Sequence, residues 1–367
     1  MAKIVSIETE LFRLPLDEVL VDAKHGEHTH FELVTATIKV ENGLTGTGYT
    51  YTGGRGGASI KAMIDQEINS FLFARDASKV QAINESLQWH LHYVGRGGIA
   101  SFAISAIDIA LWDIRGKNSE LPLWKMIGGT VNKCRAYCGG IDLNFPLEKL
   151  LKSVSGYLNR GVTGVKIKVG QKDLNTDVLR VQEVRKLIGS EIKLIVDANY
   201  SMTVQEAIEA AQAFQEFDIL WFEEPTEPDD FFAYSDISDA TDIAIAMGEN
   251  LHTLREFSHA LEYSKLSYIQ PDASNCGGIT CWLKVAQQAE KRKIKLSSHC
   301  IQELHVSLVS GKTSLGWIEI HSFPVENYTL KPVQLKDGFA VAPNDVVIGV
   351  NFDWDKLRKS SQCISRS

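Results

Sequence analysis

Positive charge is scarce in this chain relative to negative charge. The 367 residues include 38 Lys and Arg against 46 Asp and Glu, which gives a formal net charge of −8. A protein that binds nucleic acid or an anionic membrane surface usually carries an excess of basic residues. We therefore expect neither as a partner. A small anionic substrate is compatible with this balance, because a few local cations set the charge of a binding site.

Long apolar runs are missing from the sequence, and cysteine is sparse. No stretch approaches the roughly 20 apolar residues that a membrane-spanning helix needs. The opening residues MAKIVSIETELFRL carry Glu8 and Glu10, unlike a secretory signal. The six cysteines form no CxxC pair, which is typical of reduced, buried thiols rather than a disulfide framework. We expect a cytoplasmic protein without a membrane segment.

A change of pattern near residue 126 divides the chain into two predicted domains. Residues 1–125 combine strand-like alternation, as in FELVTATIKV, with helical spacing, as in GIASFAISAIDIALWDIRGKN. They predict an α+β domain. Residues 126–321 alternate short apolar strands with amphipathic helices. From about 322 to 367 the chain returns to loops and strands, which we expect to complete the first domain.

The β/α alternation of residues 126–321 predicts a parallel barrel. The strand-like runs are CRAYCGG, GVKIKVG, IKLIVDANY, ILWFEEP, IAIAMGEN, LSYIQPDAS, IKLSSHC and GWIEIH. Seven β/α repeats that end on an eighth strand indicate an α/β fold, a modified TIM barrel of the (β/α)7β type with an α+β capping domain. In such barrels the side chains that carry chemistry lie at the carboxyl ends of the strands.

Three acidic residues stand at the ends of three successive predicted strands. They are Asp197, Glu223 and Glu249, and their side chains should converge in a closed barrel. Three carboxylates that face one another repel strongly unless a cation lies among them. Because the set contains no His or Cys, it favours Mg²⁺ over zinc. The simpler interpretation, separate ion pairs at the barrel mouth, is adequate for one of these acids but not for all three.

Two lysines end the strand that precedes these acids. In GVKIKVG, Lys166 and Lys168 point to the same side of the strand. A free lysine is protonated at neutral pH. A neighbouring ammonium group and partial burial should lower the pKa of Lys168 toward ~7–8, which suits a general base, with Lys166 tuning it. The competing interpretation is a lysine pair that binds a phosphate or an acid at the barrel mouth.

The far side of the predicted barrel carries a second candidate acid–base group. His299 ends the seventh strand, and Asp272 ends the strand before it. A carboxylate partner fixes the tautomer of an imidazole and raises its basicity. Glu319, on the last strand, would donate to a substrate carboxylate if burial keeps it protonated. The alternatives are a satisfied core histidine for His299 and a salt bridge to a lysine for Glu319.

Taken together, these motifs resemble one known family. VKIKVG, VDANY, WFEEPT, MGEN, QPDASNCGGIT, SSHCIQELH and GWIEIH resemble, in that order, the motifs of the mandelate racemase subgroup of the enolase superfamily. The resemblance covers nearly the whole chain. It implies a (β/α)7β barrel with a cap from both termini, Mg²⁺ on the three acids, and abstraction of a proton α to a carboxylate by Lys168 or His299. Members of the subgroup are commonly homo-oligomers, so we expect one here.

The loops of the predicted cap indicate a polar substrate. Residues 21–32 (VDAKHGEHTHFE), 49–60 (YTYTGGRGGASI) and 89–100 (WHLHYVGRGGIA) are polar and rich in glycine. Such a lid favours a sugar acid over an aromatic acid, whose ring would need apolar contacts. For any single histidine in these loops, a solvated side chain or adventitious metal binding is the competing interpretation. The residues expected to contact the substrate are Asn199, His25, His28, Tyr51, Arg55 and Tyr93.

These loops resemble most those of the 3,6-anhydro-L-galactonate cycloisomerases. In that reaction a base removes the hydrogen at C2, the ether oxygen at C3 leaves, and the ring opens to a 2-keto-3-deoxy acid. The loops also resemble those of galactarate and talarate dehydratases, in which water leaves instead, and the subgroup includes racemases and epimerases. A scaffold protein that has lost activity is the alternative outside catalysis. The presence of every acid, both lysines and the histidine argues against it.

Overall fold

An antiparallel sheet and several helices form the cap. The protein is described by a computed structural model that covers residues 2–313, 316–360 and 362–366. The strands β1 to β3 pair in sequence order. The cap elements are β1 (Ile4–Asp22), β2 (Gly26–Val40), β3 (Thr45–Thr52), α1 (Gly57–Ala62), a π-helical segment (Met63–Ile68), α2 (Asn69–Leu72), α3 (Val80–His90), a 3₁₀ turn (His92–Val94), α4 (Ile99–Ser119) and α5 (Leu123–Met126).

Helix α4 packs so closely on β3 that glycine is required at the contact. A Cβ atom at Gly46 would lie 2.2 Å from the carbonyl oxygen of Ala110, and one at Gly48 would lie 1.9 Å from that of Ala106. The alternating glycines of β3 therefore face the helix. Most residues of α4 are buried, in keeping with a helix that carries apolar residues on nearly all sides.

The second domain is a closed parallel barrel. Its elements are β4 (Lys133–Gly139), α6 (Leu147–Asn159), β5 (Gly164–Lys168), α7 (Leu174–Ile188), β6 (Lys193–Asp197), α8 (Val204–Phe214), a 3₁₀ turn (Gln215–Phe217), β7 (Ile219–Glu223), α9 (Phe231–Asp239), β8 (Ile245–Met247), α10 (Leu254–Tyr263), β9 (Tyr268–Ile269), α11 (Gly278–Arg292), β10 (Lys295–Leu296), α12 (Gln302–Lys312) and β11 (Trp317–His321). Pairing runs from β10 down to β4, and β11 pairs with β4. A bridge between Ser297 and Trp317 closes the ring. The described residues thus form the predicted (β/α)7β barrel.

An aromatic cluster fills the barrel below the ends of the strands. It consists of Tyr137, Trp221, Tyr268 and Trp317, packed with Ile195 and Ala246. The indole Nε1 of Trp221 donates a hydrogen bond to Glu223 Oε2 at 2.9 Å. The cluster therefore closes the lower end of the barrel and also orients an acid at the upper end.

The C-terminal segment contributes to both domains. Its elements are a 3₁₀ turn (Pro324–Tyr328), β12 (Gln334–Lys336), β13 (Phe339–Val341), α13 (Trp354–Ser360) and β14 (Gln362–Arg366). Strand β14 pairs with β1 of the cap. Strand β13 pairs instead with residues 133–135 of β4, because β5 begins to pair with β4 only at Tyr137 and leaves that edge free. One strand of the segment therefore pairs with the cap and another with the barrel sheet, whereas the sequence analysis expected the segment from about residue 322 to complete the cap. Among the described helices, none combines the length and the apolar character needed to cross a bilayer.

Candidate active site

The three predicted acids converge at the carboxyl ends of the strands. Asp197 ends β6, Glu223 ends β7, and Glu249 follows β8 by two residues. Each offers one carboxylate oxygen, and these oxygens all lie within 4.8 Å of one another. Asp197 and Glu223 are fully buried, whereas the side chain of Glu249 is 13% exposed.

Both predicted lysines point at these acids, but their surroundings differ. The Nζ atom of Lys166 lies 2.5 Å from Glu223 Oε1, 2.7 Å from Glu319 Oε1 and 3.2 Å from Asp197 Oδ2. Its side chain is only 2% exposed. The Nζ atom of Lys168 lies 2.6 Å from Asp197 Oδ2, and Lys168 lines the central cavity. Lys166 is therefore enclosed by carboxylates, whereas Lys168 can reach a bound substrate.

The surroundings of Lys168 raise its pKa, in contrast to the lowering expected from the sequence. Burial is the largest single influence and lowers the pKa, and Lys166 lowers it further. The carboxylate of Asp197, helped by Glu249 and Glu223, raises it by more in total, so the net pKa lies above that of a free lysine. The two lysines thus act as counter-ions of the acids when no metal compensates them.

The surroundings of Glu319 favour its ionised form, whereas the sequence analysis expected a protonated donor. Burial raises its pKa, but Lys166, His321 and His299 together lower it below the usual range of a glutamate. The backbone N–H of Cys300 also donates to Glu319 Oε2 at 2.9 Å. The salt bridge to a lysine, the alternative reading of the sequence, is what the structure shows.

His299 and Asp272 form the predicted dyad. His299 Nδ1 lies 3.0 Å from Asp272 Oδ2, and Ser274 donates to Asp272 Oδ1 from its backbone N and its Oγ, each at 2.7 Å. Burial lowers the pKa of His299, but Glu249 and Asp272 raise it to about 9. Because His299 Nδ1–H donates to Asp272, the Nε2 atom is left to face the cavity.

Tyr51 reaches the dyad from the cap. Its hydroxyl lies 3.2 Å from Asp272 Oδ2 and 3.3 Å from His299 Nδ1. Tyr51 was predicted to contact the substrate, and it does line the central cavity, yet its hydroxyl is already engaged by the acid–base pair. The cap is therefore linked directly to the reacting side of the barrel.

His305 clamps the two loops that carry the dyad, and the sequence-based interpretation did not identify it. Its Nε2 accepts from the backbone N–H of Ala273 at 3.0 Å, and its Nδ1 donates to the carbonyl of Cys300 at 2.7 Å. Each loop contains one member of the dyad, so one buried imidazole fixes both. The motif QELHVSL places His305 six residues after His299, but this spacing does not reveal its two backbone partners.

A cluster of hydrogen-bonded side chains covers the cavity from the cap. Asp22 Oδ2 lies 2.8 Å from His25 Nδ1 and 2.8 Å from His28 Nε2. The hydroxyl of Tyr200, from the barrel, lies 2.6 Å from His25 Nε2. Asp22, His25 and His28 belong to residue types that bind metals, and together they could hold a metal ion. The hydrogen bonds already account for their arrangement, and Asp22 raises the pKa of His25.

The central cavity joins these groups and measures about 630 Å³. Five predicted substrate-contacting residues line it, but Tyr93 does not. Tyr93 is 93% exposed, because the 3₁₀ turn at His92–Val94 points away from the barrel while Gly98, Ile99 and Phe102 form the wall. The five are His25, His28, Tyr51, Arg55 and Asn199.

The arrangement of the acids fits a hard divalent cation. All three donors are carboxylate oxygens, the ligands that Mg²⁺ prefers. Burial, together with Asp197, Glu319 and Glu249, raises the pKa of Glu223 to about 7, although Lys166 opposes the shift. The buried Oδ1 of Asn199 has no hydrogen-bond partner among the described residues. Negative charge and a free acceptor are thus concentrated where a cation would bind.

Comparison with known protein families identifies the family of this chain. The model of the mandelate racemase/muconate lactonizing enzyme N-terminal domain matches residues 18–128, and the enolase C-terminal domain-like model matches residues 149–356. The chain belongs to the mandelate racemase/muconate lactonizing enzyme family. The resemblance inferred from its motifs is confirmed.

Relatives in this family differ in reaction. The 3,6-anhydro-α-L-galactonate cycloisomerase of Streptomyces coelicolor is 41% identical over 96% of this chain and 97% of its own length. The L-talarate/galactarate dehydratase of Salmonella typhimurium is 34% identical over 90% of this chain and 84% of its own length. The crystal structure of a racemase from Streptomyces coelicolor with bound magnesium covers 98% of this chain and 99% of its own, at 40% identity and a TM-score of 0.94.

Proposed function

We propose that this protein is a magnesium-dependent cycloisomerase that acts on 3,6-anhydro-L-galactonate and forms 2-keto-3-deoxy-L-galactonate. The observation that carries the proposal is that Lys168, His299 and Glu249 line one cavity, and that Glu249 converges with Asp197 and Glu223. The relative that is 41% identical over nearly the whole chain supports the choice of substrate.

The metal would be held by Asp197, Glu223 and Glu249. Magnesium bound there supplies positive charge that stabilises the substrate carboxylate as the α-proton leaves. Lys166 would hold Glu223 and Glu319 in place through the ion pairs at 2.5 and 2.7 Å. Because Lys166 is enclosed, we assign it a positioning role and no proton transfer.

Proton transfer falls to the two groups that reach the cavity. Either Lys168 Nζ or His299 Nε2 removes the proton at C2, and the configuration at C2 decides which. For Lys168 to act as the base, its pKa must fall, and neutralisation of Asp197 by a bound cation would remove the largest influence that raises it. His299 is held ready by Asp272, which orients its ring.

The remaining steps complete a β-elimination. Electrons from the C2–H bond form the C2–C3 double bond, the C3–O bond breaks, and the departing oxygen receives a proton from the second group. That oxygen stays attached through C6, so the ring opens without loss of atoms. The resulting enol takes a proton at C3 and becomes the 2-keto acid.

A panel of sugar acids tests this proposal. The purified protein with Mg²⁺ should convert 3,6-anhydro-L-galactonate into a product that reacts with semicarbazide, and EDTA should abolish the reaction. Turnover of galactarate or talarate instead would assign a dehydratase. Deuterium exchange at C2 with recovery of the substrate would assign a racemase or epimerase.

The dehydratase is the second candidate because of the charge on the cap side of the cavity. Lys24, His25 and Arg55 line this wall beside the acids Asp22 and Glu27, and Asp22 raises the pKa of His25. Such a wall can bind the second carboxylate of an open-chain dicarboxylic sugar acid. The relative that is 34% identical is named as an L-talarate/galactarate dehydratase.

We also propose a homo-oligomer located in the cytoplasm. Exposed apolar side chains at Trp89, Tyr93 and Val94 support a contact between copies, and light scattering after gel filtration would test it. The five described cysteines are free and buried, which suits a reducing compartment. Cys363 lies outside the residues whose side chains are described.

A further inference from the structure

The backbone fixes the tautomer of His321, the last residue of β11. Its Nδ1 lies 2.9 Å from the backbone nitrogen of Phe323. A backbone N–H can only donate, so Nδ1 must be the acceptor and cannot carry a proton. A neutral imidazole whose Nδ1 accepts carries its hydrogen on Nε2. His321 is therefore a donor at Nε2. Its Nδ1 cannot take up a proton while this hydrogen bond lasts.

The surroundings of the ring keep it neutral. Burial is the largest influence and lowers the pKa of His321, Glu319 opposes the shift, and His299 and the two lysines lower the pKa further, to about 3. This direction agrees with the geometry, because a protonated ring would place an N–H at Nδ1 against the N–H of Phe323.

His321 forms part of the wall of the central cavity. It lines this cavity with Lys168, Asn199 and His299, and it also borders a second cavity beside Tyr157. Its ring centroid lies 6.2 Å from that of His299. In the described part of the chain, the hydrogen bond to Phe323 is the only one its ring makes, and Nε2 is not one of the fully buried polar atoms that lack a partner. The hydrogen on Nε2 therefore has no acceptor among the described residues and is available to a ligand.

We propose that His321 donates a hydrogen bond from Nε2 to the substrate oxygen that gains negative charge when the α-proton leaves. The inference rests on the function proposed above. His299 must reach either the α-carbon or the oxygen on the neighbouring C3, and the oxygens of the carboxylate and the 2-hydroxyl lie within two bonds of the α-carbon. A neutral imidazole N–H stabilises charge at such an oxygen without giving up its proton.

This donor supplements Glu319, which the sequence analysis assigned to the substrate carboxylate. Glu319 Oε1 lies 2.7 Å from Lys166 Nζ, and its Oε2 accepts from the backbone N–H of Cys300. Both contacts favour the ionised form of Glu319, whereas His321 carries its hydrogen as a neutral ring. His321 stands two residues later on the same strand and faces the same side, so it provides the donor one position closer to the mouth.

Two substitutions separate the donor from the backbone contact. His321→Asn places an amide oxygen near the position of Nδ1, so it keeps the acceptor for Phe323 and removes the donor at Nε2. His321→Gln places an amide N–H near Nε2 and loses the acceptor. Turnover of the sugar acid, exchange of its α-proton in D₂O and the melting temperature are measured for both variants and the wild-type protein, with Mg²⁺ present.

We expect His321→Asn to lower kcat by about 100- to 1000-fold, the usual effect of removing one donor to a developing charge, with KM and melting temperature nearly unchanged. His321→Gln should keep kcat within about tenfold and melt at a lower temperature. Wild-type kcat in the Asn variant overturns the proposal, and so does a Gln variant as inactive as the Asn variant. If Asn does not fold, the kcat of Gln decides alone. Failure of the wild-type protein on every sugar acid would instead refute the proposed function.

Discussion

Replacement of Lys168 by methionine should make the stability of the protein depend more strongly on magnesium. The Nζ atom lies 2.6 Å from Asp197 Oδ2 and compensates a fully buried carboxylate. Its removal leaves Asp197 with Lys166 at 3.2 Å and the backbone N–H of Asn199. A bound cation would compensate the same carboxylate, so magnesium should restore what the substitution removes.

The magnitude follows from the burial of the pair. Removing one partner of a buried ion pair costs about 3–5 kcal/mol of folding free energy. Because Lys166 still pairs with Asp197, we expect a cost of about 3 kcal/mol here. An unfolding entropy of about 2.1 cal/mol/K per residue gives roughly 0.8 kcal/mol/K for a chain of this length. The ion-free variant should therefore melt about 4 °C below the wild-type protein, and saturating Mg²⁺ should raise its melting temperature by about 4 °C more than that of the wild-type protein.

Differential scanning calorimetry in EDTA and in Mg²⁺ measures both effects. Lys186→Met is a matched control, because Lys186 forms a 2.6 Å pair with Glu183 while its side chain is 61% exposed, and such surface pairs contribute little. The control should show no difference in its response to magnesium. Equal magnesium-induced shifts in Lys168→Met and the wild-type protein would refute the view that lysine and metal compensate the same acids.

Other residues give equally direct tests. Burial raises the pKa of Glu223 to about 7. Protons should therefore compete with Mg²⁺ below that pH and weaken its binding about tenfold for each pH unit. A constant affinity from pH 5.5 to 8 in titration calorimetry would contradict this. His305→Ala removes two buried hydrogen bonds, which should cost about 1–3 kcal/mol each and slow turnover, so an unchanged denaturation midpoint and kcat would disprove the clamp. Tyr93→Ser should keep kcat/KM within about twofold, because the side chain lies outside the cavity, and a larger loss would place it in the substrate site.

The position of the acids could be predicted because it depends on order along the chain. In a parallel barrel the carboxyl ends of all strands meet at one mouth. Asp197, Glu223 and Glu249 therefore had to converge once their strands were recognised, and the alternation of GVKIKVG placed both lysines on one side. These two predictions did not require knowledge of the distances between side chains.

Protonation states could not be predicted in the same way. The pKa of Lys168 depends on its distance from Asp197, and that of Glu319 on its distance from Lys166, and both distances arise from packing between strands remote in sequence. The roles of His305 and His321 depend on hydrogen bonds to particular backbone groups. The periodicity of apolar residues in a sequence does not reveal such bonds. The strand pattern does place His321 on the same face as Glu319, and this was the available signal.

The position of Tyr93 shows a similar limit. A loop rich in His, Tyr, Arg and Gly next to two others of the same kind indicated a shared lid. Whether a side chain on a short turn faces the cavity or solvent depends on the rotation of that turn, and here it directs Tyr93 outward.

The most direct measurement of the central claim is the fate of the C2 hydrogen in D₂O. With Mg²⁺, proton NMR should show loss of 3,6-anhydro-L-galactonate and a 2-keto-3-deoxy acid that carries one solvent deuterium at C3. EDTA should stop the conversion, and Lys168→Ala and His299→Asn should each lower it at least about 100-fold. Conversion that continues unchanged in EDTA, or near wild-type rates in either variant, would contradict the account.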